Sequence, residues 1–337
     1  MRRNITLKPH NTFGLDVMAA YVASISDLRG LEQLRKSGVW QSERRVVLGG
    51  GSNCLFMDDY FEGLVILMNN KGVSVQDLGN GRVCVSAAAG EDWTSFVQRM
   101  VAAGYSGVEN LSMIPGKVGA APIQNIGAYG VELKDVFHKL HAFDTQTGQL
   151  VDFESKDCEF AYRSSIFKTT FKGRFIILSV DFILQTTYQP NLNYGAIRLE
   201  LEHMGVVIPG IQDVSTAISN IRRSKLPDPM QIGNAGSFFK NPVVHELVFH
   251  DLQREFRGIA GFPEKDKTVK LAAGWLIEQA GWKGKRVGDV GVHQQQALVL
   301  VNYGNATGRD IFSFAMEIQQ SVREKFGIQL EPEVNFI

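Results

Sequence analysis

Two glycine-rich segments contain the residues best suited to bind a charged ligand. The run Gly49-Gly50-Gly51-Ser52-Asn53 follows a β-branched stretch that ends at Leu48. Because glycine has no side chain, successive backbone N–H groups there can converge on a phosphate or a diphosphate. Residues 114–130 combine small side chains with two prolines, so the backbone can approach a flat ligand along a rigid path. Together the two segments predict a dinucleotide cofactor.

Neither of the common nucleotide-binding fingerprints fits these glycines. Gly49 and Gly51 match the start of G-x-G-x-x-G, but Cys54 occupies the third glycine position and no helical periodicity follows. Gly284-Lys285 lacks the upstream glycine of a P-loop and is followed by arginine. A Rossmann domain and a P-loop nucleotidase are therefore excluded.

Three isolated side chains could take part in acid–base or charge-stabilising chemistry. Ser237 follows a glycine in a loop-like stretch and could act as a nucleophile or a proton donor, but no G-x-S-x-G pattern surrounds it, which disfavours a serine hydrolase. Arg163 offers a permanent cation, and Glu333 offers a carboxylate near the C-terminus. Taken singly, each of the three is more often a turn or surface residue.

Metal sites and disulfide frameworks are not predicted. His245 and His250 lie about 140° apart around a helix, so they do not form the pair of a zinc-protease helix. Cys54, Cys84 and Cys158 are odd in number, far apart in sequence and without a C-x-x-C pair. We expect three reduced, buried thiols.

The elements that must position these residues alternate between helix and strand signals. Ser26 is the expected N-cap of a first helix with leucines at helical spacing, closed by Gly38. Asn80-Gly81 and Thr147-Gly148 are expected to turn two antiparallel hairpins. Further helices are predicted at 93–101, from about Asp213, at 271–280 and at 311–326, and further strands at 45–48, 175–182 and 297–301. This pattern indicates an α+β chain.

Length, charge and hydropathy limit the classes of partner. A chain of 337 residues is expected to form two or three domains. Its 35 basic and 35 acidic residues cancel, so no overall field favours nucleic acid or a membrane surface. No apolar run approaches the roughly 18 residues of a membrane span. We expect a cytoplasmic monomer.

Six segments carry motifs in order along nearly the whole chain: 48–53, 114–132, 162–167, 225–229, 233–242 and 330–334. Together they resemble the UDP-N-acetylenolpyruvoylglucosamine reductase family of peptidoglycan precursor synthesis. The insertion around Asn193-Tyr194-Gly195 resembles the longer subtype of that family. Although a single glycine loop would be weak evidence, the ordered set is specific.

The resemblance implies an FAD-binding fold of the vanillyl-alcohol-oxidase type, built from two subdomains at 1–70 and 71–212, and a C-terminal α+β substrate-binding domain at 213–337. FAD would be the cofactor and NADPH a co-substrate. The expected cofactor contacts are Leu48, Gly49, Gly50, Gly51, Ser52, Asn53, Ile114, Pro115, Gly116, Gly119, Ala120, Pro122, Gln124, Asn125, Ile126, Gly127, Ala128, Tyr129 and Gly130.

The resemblance also implies a reaction and its residues. NADPH would reduce FAD and leave, and the reduced flavin would then convert UDP-N-acetylglucosamine enolpyruvate into UDP-N-acetylmuramate, a ping-pong scheme. Ser237 would donate the proton, with Arg163 and Glu333 assisting at the carboxylate and enol. The expected substrate or NADPH contacts are Tyr162, Tyr194, Lys225, Asn241 and Gln296.

The sequence departs from the family pattern at one position, and two alternative functions remain open. Ser164 stands where the family often has an acid in its Tyr-Arg-x-Ser motif, so the orienting partner of Arg163 is open. Another FAD oxidoreductase on the same fold would share the glycine loops but would not need Ser237 and Glu333. A non-catalytic UDP-sugar binding protein would bind the ligand without a functional flavin.

Overall fold

A computed structural model describes residues 1–41 and 44–337. The chain divides into two compact units, each drawn from separate stretches of sequence. Unit 1 comprises Met1–Ile5, Ala19–Gly51 and Glu62–Ser224, and unit 2 comprises Thr6–Met18, Ser52–Phe61 and Lys225–Ile337. The predicted domain boundaries after residues 70 and 212 stay a prediction.

The described residues form a mixed set of strands and helices, as the α+β prediction requires. The strands are β1 Arg2–Thr6, β2 Met18–Ile25, β3 Arg45–Leu48, β4 Cys54–Leu55, β5 Tyr60–Met68, β6 Val73–Gly79, β7 Arg82–Ala88, β8 Gly127–Ala128, β9 Val131–Glu132, β10 Phe137–Asp144, β11 Leu150–Glu154, β12 Phe175–Gln185, β13 Gly233–Ser237, β14 Val243–His245, β15 Gly261–Pro263, β16 Thr268–Leu271, β17 Arg286–Val287, β18 Val290–Val292, β19 Val299–Asn302 and β20 Asn335–Phe336. The helices are α1 Leu28–Arg35, α2 Trp93–Ala102, α3 Gly195–His203, α4 Ile211–Lys225, α5 Glu246–Glu255, α6 Ala273–Gln279 and α7 Gly308–Phe326.

Two larger sheets organise the described residues of unit 1, which also contain the antiparallel pair β8-β9. The first has the strand order β1-β2-β5-β3, with β3 parallel to β5. The second is antiparallel in the order β11-β10-β12-β7-β6. Helix α2 packs on the second sheet through Trp93 and Phe96, whose rings lie 6.0 and 5.0 Å from that of Phe182 in β12. Each such buried aromatic ring contributes about 1.5–3 kcal/mol through burial.

The predicted hairpins of unit 1 are confirmed. Asn80 and Gly81 join β6 to β7 with φ of 53° and 73°, the left-handed pair that a two-residue turn requires. Gly148, with φ of 78°, lies in the turn between β10 and β11.

Helix α1 begins one residue later than predicted. Asp27, not Ser26, is the N-cap, because its carboxylate accepts from the backbone N–H of Gly30 at 2.7 Å. The helix ends at Arg35, before Gly38. A serine and an aspartate are almost equally good caps, so local sequence could not separate them.

Unit 2 contains a four-stranded sheet in the order β13-β19-β18-β17, a three-stranded sheet in the order β14-β16-β15, and the parallel pair β20-β4. Helix α7 begins with a capping box between Thr307 and Asp310 and buries one apolar face, including Ile311 and Phe314. No helix in the described ranges is both long and apolar enough to cross a membrane.

Candidate active site

The two glycine-rich segments meet within unit 1. A Cβ added at Gly50 would lie 2.9 Å from the Gly116 Cα, and one at Gly49 would lie 3.1 Å from the Ala120 Cβ. At Gly50 the backbones therefore approach too closely for a side chain. Lys117 holds this arrangement by donating to the carbonyl of Met68 at 3.1 Å, at the end of β5.

Asn125 fixes the path of the second segment rather than extending outward. Its backbone adopts φ of 44°, and its side chain is buried. The amide donates to Glu132 Oε2 at 3.0 Å and to the carbonyl of Ala161 at 3.2 Å, while its oxygen accepts from the Lys134 N–H at 3.0 Å. The side chain of this expected cofactor residue is thus engaged by protein groups.

Arg163 is joined to the end of the second segment. Its Nη2 donates to the carbonyl of Gly127 at 2.7 Å, and its guanidinium carbon lies 5.4 Å from the centre of the Tyr162 ring. Arg163 and Tyr129 have φ of 54° and 50°, an uncommon region for such side chains. Backbone strain of this kind concentrates at functional sites.

Tyr129, Tyr194 and Arg222 form a cluster in unit 1. The two tyrosine rings meet edge to face, with centroids 5.3 Å apart. Burial raises the pKa of Tyr129, although the hydrogen-bonded Arg222 opposes that shift. Burial also lowers the pKa of Arg222. Sequence analysis missed Arg222, because it adjoins the apolar stripe of α4 and belongs to no motif.

Ser237 and Glu333 are brought onto neighbouring segments of unit 2. The Phe238 carbonyl accepts from the Glu333 N–H at 2.8 Å, and the Phe238 N–H donates to the carbonyl of Leu298 at 2.8 Å. Ser237 ends β13, where the register with β19 shifts after Asn234. Such a bulge re-aims side chains next to active sites.

The remaining expected substrate residues of unit 2 occupy two places. Asn241 Oδ1 accepts from the Ala273 N–H at 3.0 Å, at the start of α6. A Cβ added at Gly274 would lie 3.5 Å from Gln296 Oε1, so Gln296 is near the same helix start. Lys225 is the exposed last residue of α4.

The surroundings of the cysteines and of His245 account for these residues without a role in the site. Burial raises the pKa of Cys54 and of Cys158 to about 12, which leaves both thiols protonated and unreactive. Cys84 is only half-buried, unlike the buried thiol expected, and burial also raises its pKa. His245 caps α5 by accepting from the Leu247 N–H at 3.3 Å.

Comparison with known proteins defines the class first. Residues 29–154 match the model of an FAD binding domain. The close approach of Gly50 to Gly116 fits this class, since side-chain-free backbone is what a bound diphosphate needs. FAD is the cofactor, and the predicted FAD-binding fold with a C-terminal domain is confirmed.

Residues 228–337 match the model of the UDP-N-acetylenolpyruvoylglucosamine reductase C-terminal domain. The chain is 49% identical to the reductase of that name from Pseudomonas putida, over 99% of this chain and 98% of the relative. It is 44% identical to the one from Flavobacterium johnsoniae, over 100% and 99%. The chain belongs to the UDP-N-acetylenolpyruvoylglucosamine reductase family.

The solved structure of the UDP-N-acetylenolpyruvylglucosamine reductase from Thermus caldophilus superposes on this chain with a TM-score of 0.68 at 23% identity. The match covers 99% of this chain and 98% of that one. At this identity the likeness supports the fold alone.

Proposed function

We propose that this protein uses NADPH to reduce UDP-N-acetylglucosamine enolpyruvate to UDP-N-acetylmuramate, a step of peptidoglycan precursor synthesis. The observation that carries the proposal is the pairing of the Ser237 and Glu333 segments through Phe238, in a chain that belongs to this family. Bound FAD supplies the chemistry of accepting a hydride from NADPH and passing it to the enolpyruvyl carbon. FAD would be held by the segments at 49–53 and 114–130.

Arg163 has the chemistry to stabilise the reacting carboxylate. Hydride addition at the terminal carbon of the enolpyruvyl group shifts an electron pair toward the carboxylate, forming an aci-enolate. A guanidinium stays protonated and offers two parallel donors to such a group. The bond from Arg163 Nη2 to the Gly127 carbonyl, at 2.7 Å, fixes one edge of the guanidinium.

Ser237 and Glu333 would complete the reaction at the second carbon. The aci-enolate is basic enough at carbon to take a proton from a weak acid, so a positioned hydroxyl suffices as donor. Glu333 would orient or protonate the enol oxygen. Their placement on adjoining segments supports a shared role, because Phe238, the chain neighbour of Ser237, accepts a hydrogen bond from the Glu333 N–H.

NADPH and the sugar nucleotide would use the same pocket in turn, with Tyr162, Tyr194, Lys225, Asn241 and Gln296 as contacts. The absence of a Rossmann fingerprint from the sequence supports this scheme, since NADPH would need no site of its own. Ping-pong kinetics follow.

The proposal is tested by identifying the product in D2O. Consumption of NADPH should require the enolpyruvyl UDP-sugar, and the product should gain two hydrogens, with solvent deuterium at the ether-bearing carbon. The terminal carbon should gain deuterium as well wherever the hydrogen on the reduced flavin has exchanged with solvent before transfer. NADPH consumption without conversion of the sugar nucleotide would indicate a flavoenzyme with another substrate. Binding of the sugar nucleotide by a flavin-free protein would indicate a binding protein.

A further inference from the structure

A polar bridge in unit 2 links the C-terminal strand to the end of the first glycine-rich run. The side chain of Asn335 donates to the carbonyl of Asn53 at 2.9 Å, and its backbone N–H donates to the same oxygen at 3.1 Å. In return the Asn53 side chain donates to the carbonyl of Glu333 at 3.3 Å. Three hydrogen bonds thus connect Asn53 with the two residues that flank Val334.

The bridge sets the position of Glu333 relative to Asn53. From Asn335 onward, β20 pairs in parallel with β4. The N–H of Ile337 then donates to the Leu55 carbonyl at 2.9 Å. On the other side, Glu333 is bonded to the Phe238 carbonyl. The Glu333 backbone is therefore held from one side by the Ser237 segment and from the other by Asn53.

We propose that Asn335 is a positioning residue that couples flavin binding to the placement of Glu333. A ligand bound to residues 49–53 restricts the motion of Asn53. Because Asn335 is hydrogen-bonded to Asn53, the motion of the adjacent Glu333 segment is restricted as well. An amide suits this task because it donates a hydrogen bond without bringing charge, whereas a carboxylate of the same shape cannot donate. The role of Glu333 rests on the proposed function; the coupling to FAD does not.

The first test needs no substrate. Hydrogen exchange is followed by mass spectrometry on the full chain with and without FAD. In the unaltered protein, FAD should slow exchange in the peptide covering 330–337. In Asn335→Ala this slowing should be largely lost, while the slowing across 114–130 persists. Equal slowing of 330–337 in both proteins, or none in the unaltered one, would overturn the proposal.

The second test separates the half-reactions of the holoenzyme. Loss of one hydrogen bond predicts a reoxidation rate with the enolpyruvyl substrate about three- to tenfold lower in Asn335→Ala and in Asn335→Asp. Reduction by NADPH should be unchanged. In a Glu333→Gln background, Asn335→Ala should cause no further loss, because both act through one group.

The exposed Asn305 is the matched control, and Asn305→Ala should leave both rates unchanged. Equal losses in both half-reactions, or a full additional loss in the Glu333→Gln background, would show that Asn335 has only a structural role and would overturn the proposal. If the substrate does not reoxidise the unaltered enzyme, the proposed function fails, and hydrogen exchange still decides the coupling.

Discussion

Ser237 is the residue on which the proposed chemistry depends most. It ends β13 at an irregular register and adjoins Phe238, whose carbonyl holds the Glu333 backbone. A hydroxyl positioned beside the substrate can deliver a proton to carbon without being a strong acid, because the aci-enolate is the stronger base.

Replacing Ser237 by alanine should separate the two half-reactions. Flavin reduction by NADPH should stay within about twofold, while reoxidation by the enolpyruvyl substrate should fall about 10²–10⁴-fold, the usual contribution of a positioned acid. Stopped-flow absorbance measures both rates. Ser313 is exposed on α7, and Ser313→Ala is the control that should change neither. Equal loss in both half-reactions would refute the proton-donor role.

Residue types alone could not predict the contacts that support the candidate residues within each unit. Ser237, Arg163 and Glu333 were predicted because they belong to recognisable motifs. Arg222 and Asn335 were missed because their contacts join residues distant in sequence, Tyr129 and Asn53. Such pairs leave no periodic or compositional signal.

At the scale of elements, the two glycine-rich segments approach each other closely at Gly50. Gly50 has an ordinary backbone conformation, so Gly50→Ala would fail through space alone: its Cβ would lie 2.9 Å from the Gly116 Cα. Backbone must then shift, at a cost of about 1–3 kcal/mol.

We therefore expect Gly50→Ala to weaken FAD binding about ten- to a hundredfold, as measured by quenching of flavin fluorescence. Gly38 is the control, since a Cβ there meets nothing within 4 Å. Affinity in Gly50→Ala equal to that in Gly38→Ala would show that this approach does not shape the FAD site.

The β10–β11 hairpin is stabilised by a buried carboxylate. Asp144 is 2% exposed, and its Oδ2 accepts from Arg174 Nη2 at 2.8 Å, while its Oδ1 accepts from the Gln146 N–H at 2.9 Å. The hydrogen bond from Arg174 is the main cause that lowers the pKa of Asp144. Partial exposure of Arg174 screens the pair, so its contribution is modest.

Asp144→Asn should lower the free energy of unfolding by about 1 kcal/mol at pH 7, because the partly exposed Arg174 screens the pair. Because the folded-state pKa is depressed, this stabilisation is present above the unfolded pKa near 4 and is lost as the pH falls through the folded value. Urea unfolding across this range measures it, with the exposed Asp16→Asn as control. A difference between the variants that does not shrink on acidification would contradict this account.

Local elements were predictable where their signals were local. Asn80-Gly81 predicted a hairpin correctly, because a tight two-residue turn of this kind needs left-handed backbone, which these two residue types adopt readily. The apolar residues at helical spacing in 93–101 predicted α2 correctly. The cap of α1 was missed by one residue, since Ser26 and Asp27 are both good caps. The backbone hydrogen bond between Glu333 and Phe238, which joins the segments of Glu333 and Ser237, leaves no local signal and is seen only in the three-dimensional structure.

At the scale of the whole molecule, unit 2 takes two stretches from the N-terminal part of the chain. Asn302 Nδ2 donates to the Phe13 carbonyl at 2.9 Å, and Arg309 pairs with Asp58 at 2.6 Å. Turns and periodicity are local signals, so a domain prediction based on them assigns each domain one continuous stretch of sequence. They contain no information on a unit assembled from separate stretches.

The proposed ping-pong scheme is tested on the whole enzyme. With one pocket used in turn, double-reciprocal plots of initial rate against NADPH concentration should be parallel at several fixed concentrations of the enolpyruvyl substrate. Intersecting lines would indicate that both substrates bind together and would contradict the scheme.

The most direct measurement is an anaerobic absorption spectrum of the purified protein, recorded before NADPH, after NADPH, and after the enolpyruvyl UDP-sugar is added to the reduced sample. We predict a flavin spectrum that bleaches with NADPH and returns when the sugar nucleotide is added. A reduced flavin that stays bleached in the presence of the sugar nucleotide would contradict the proposed reaction.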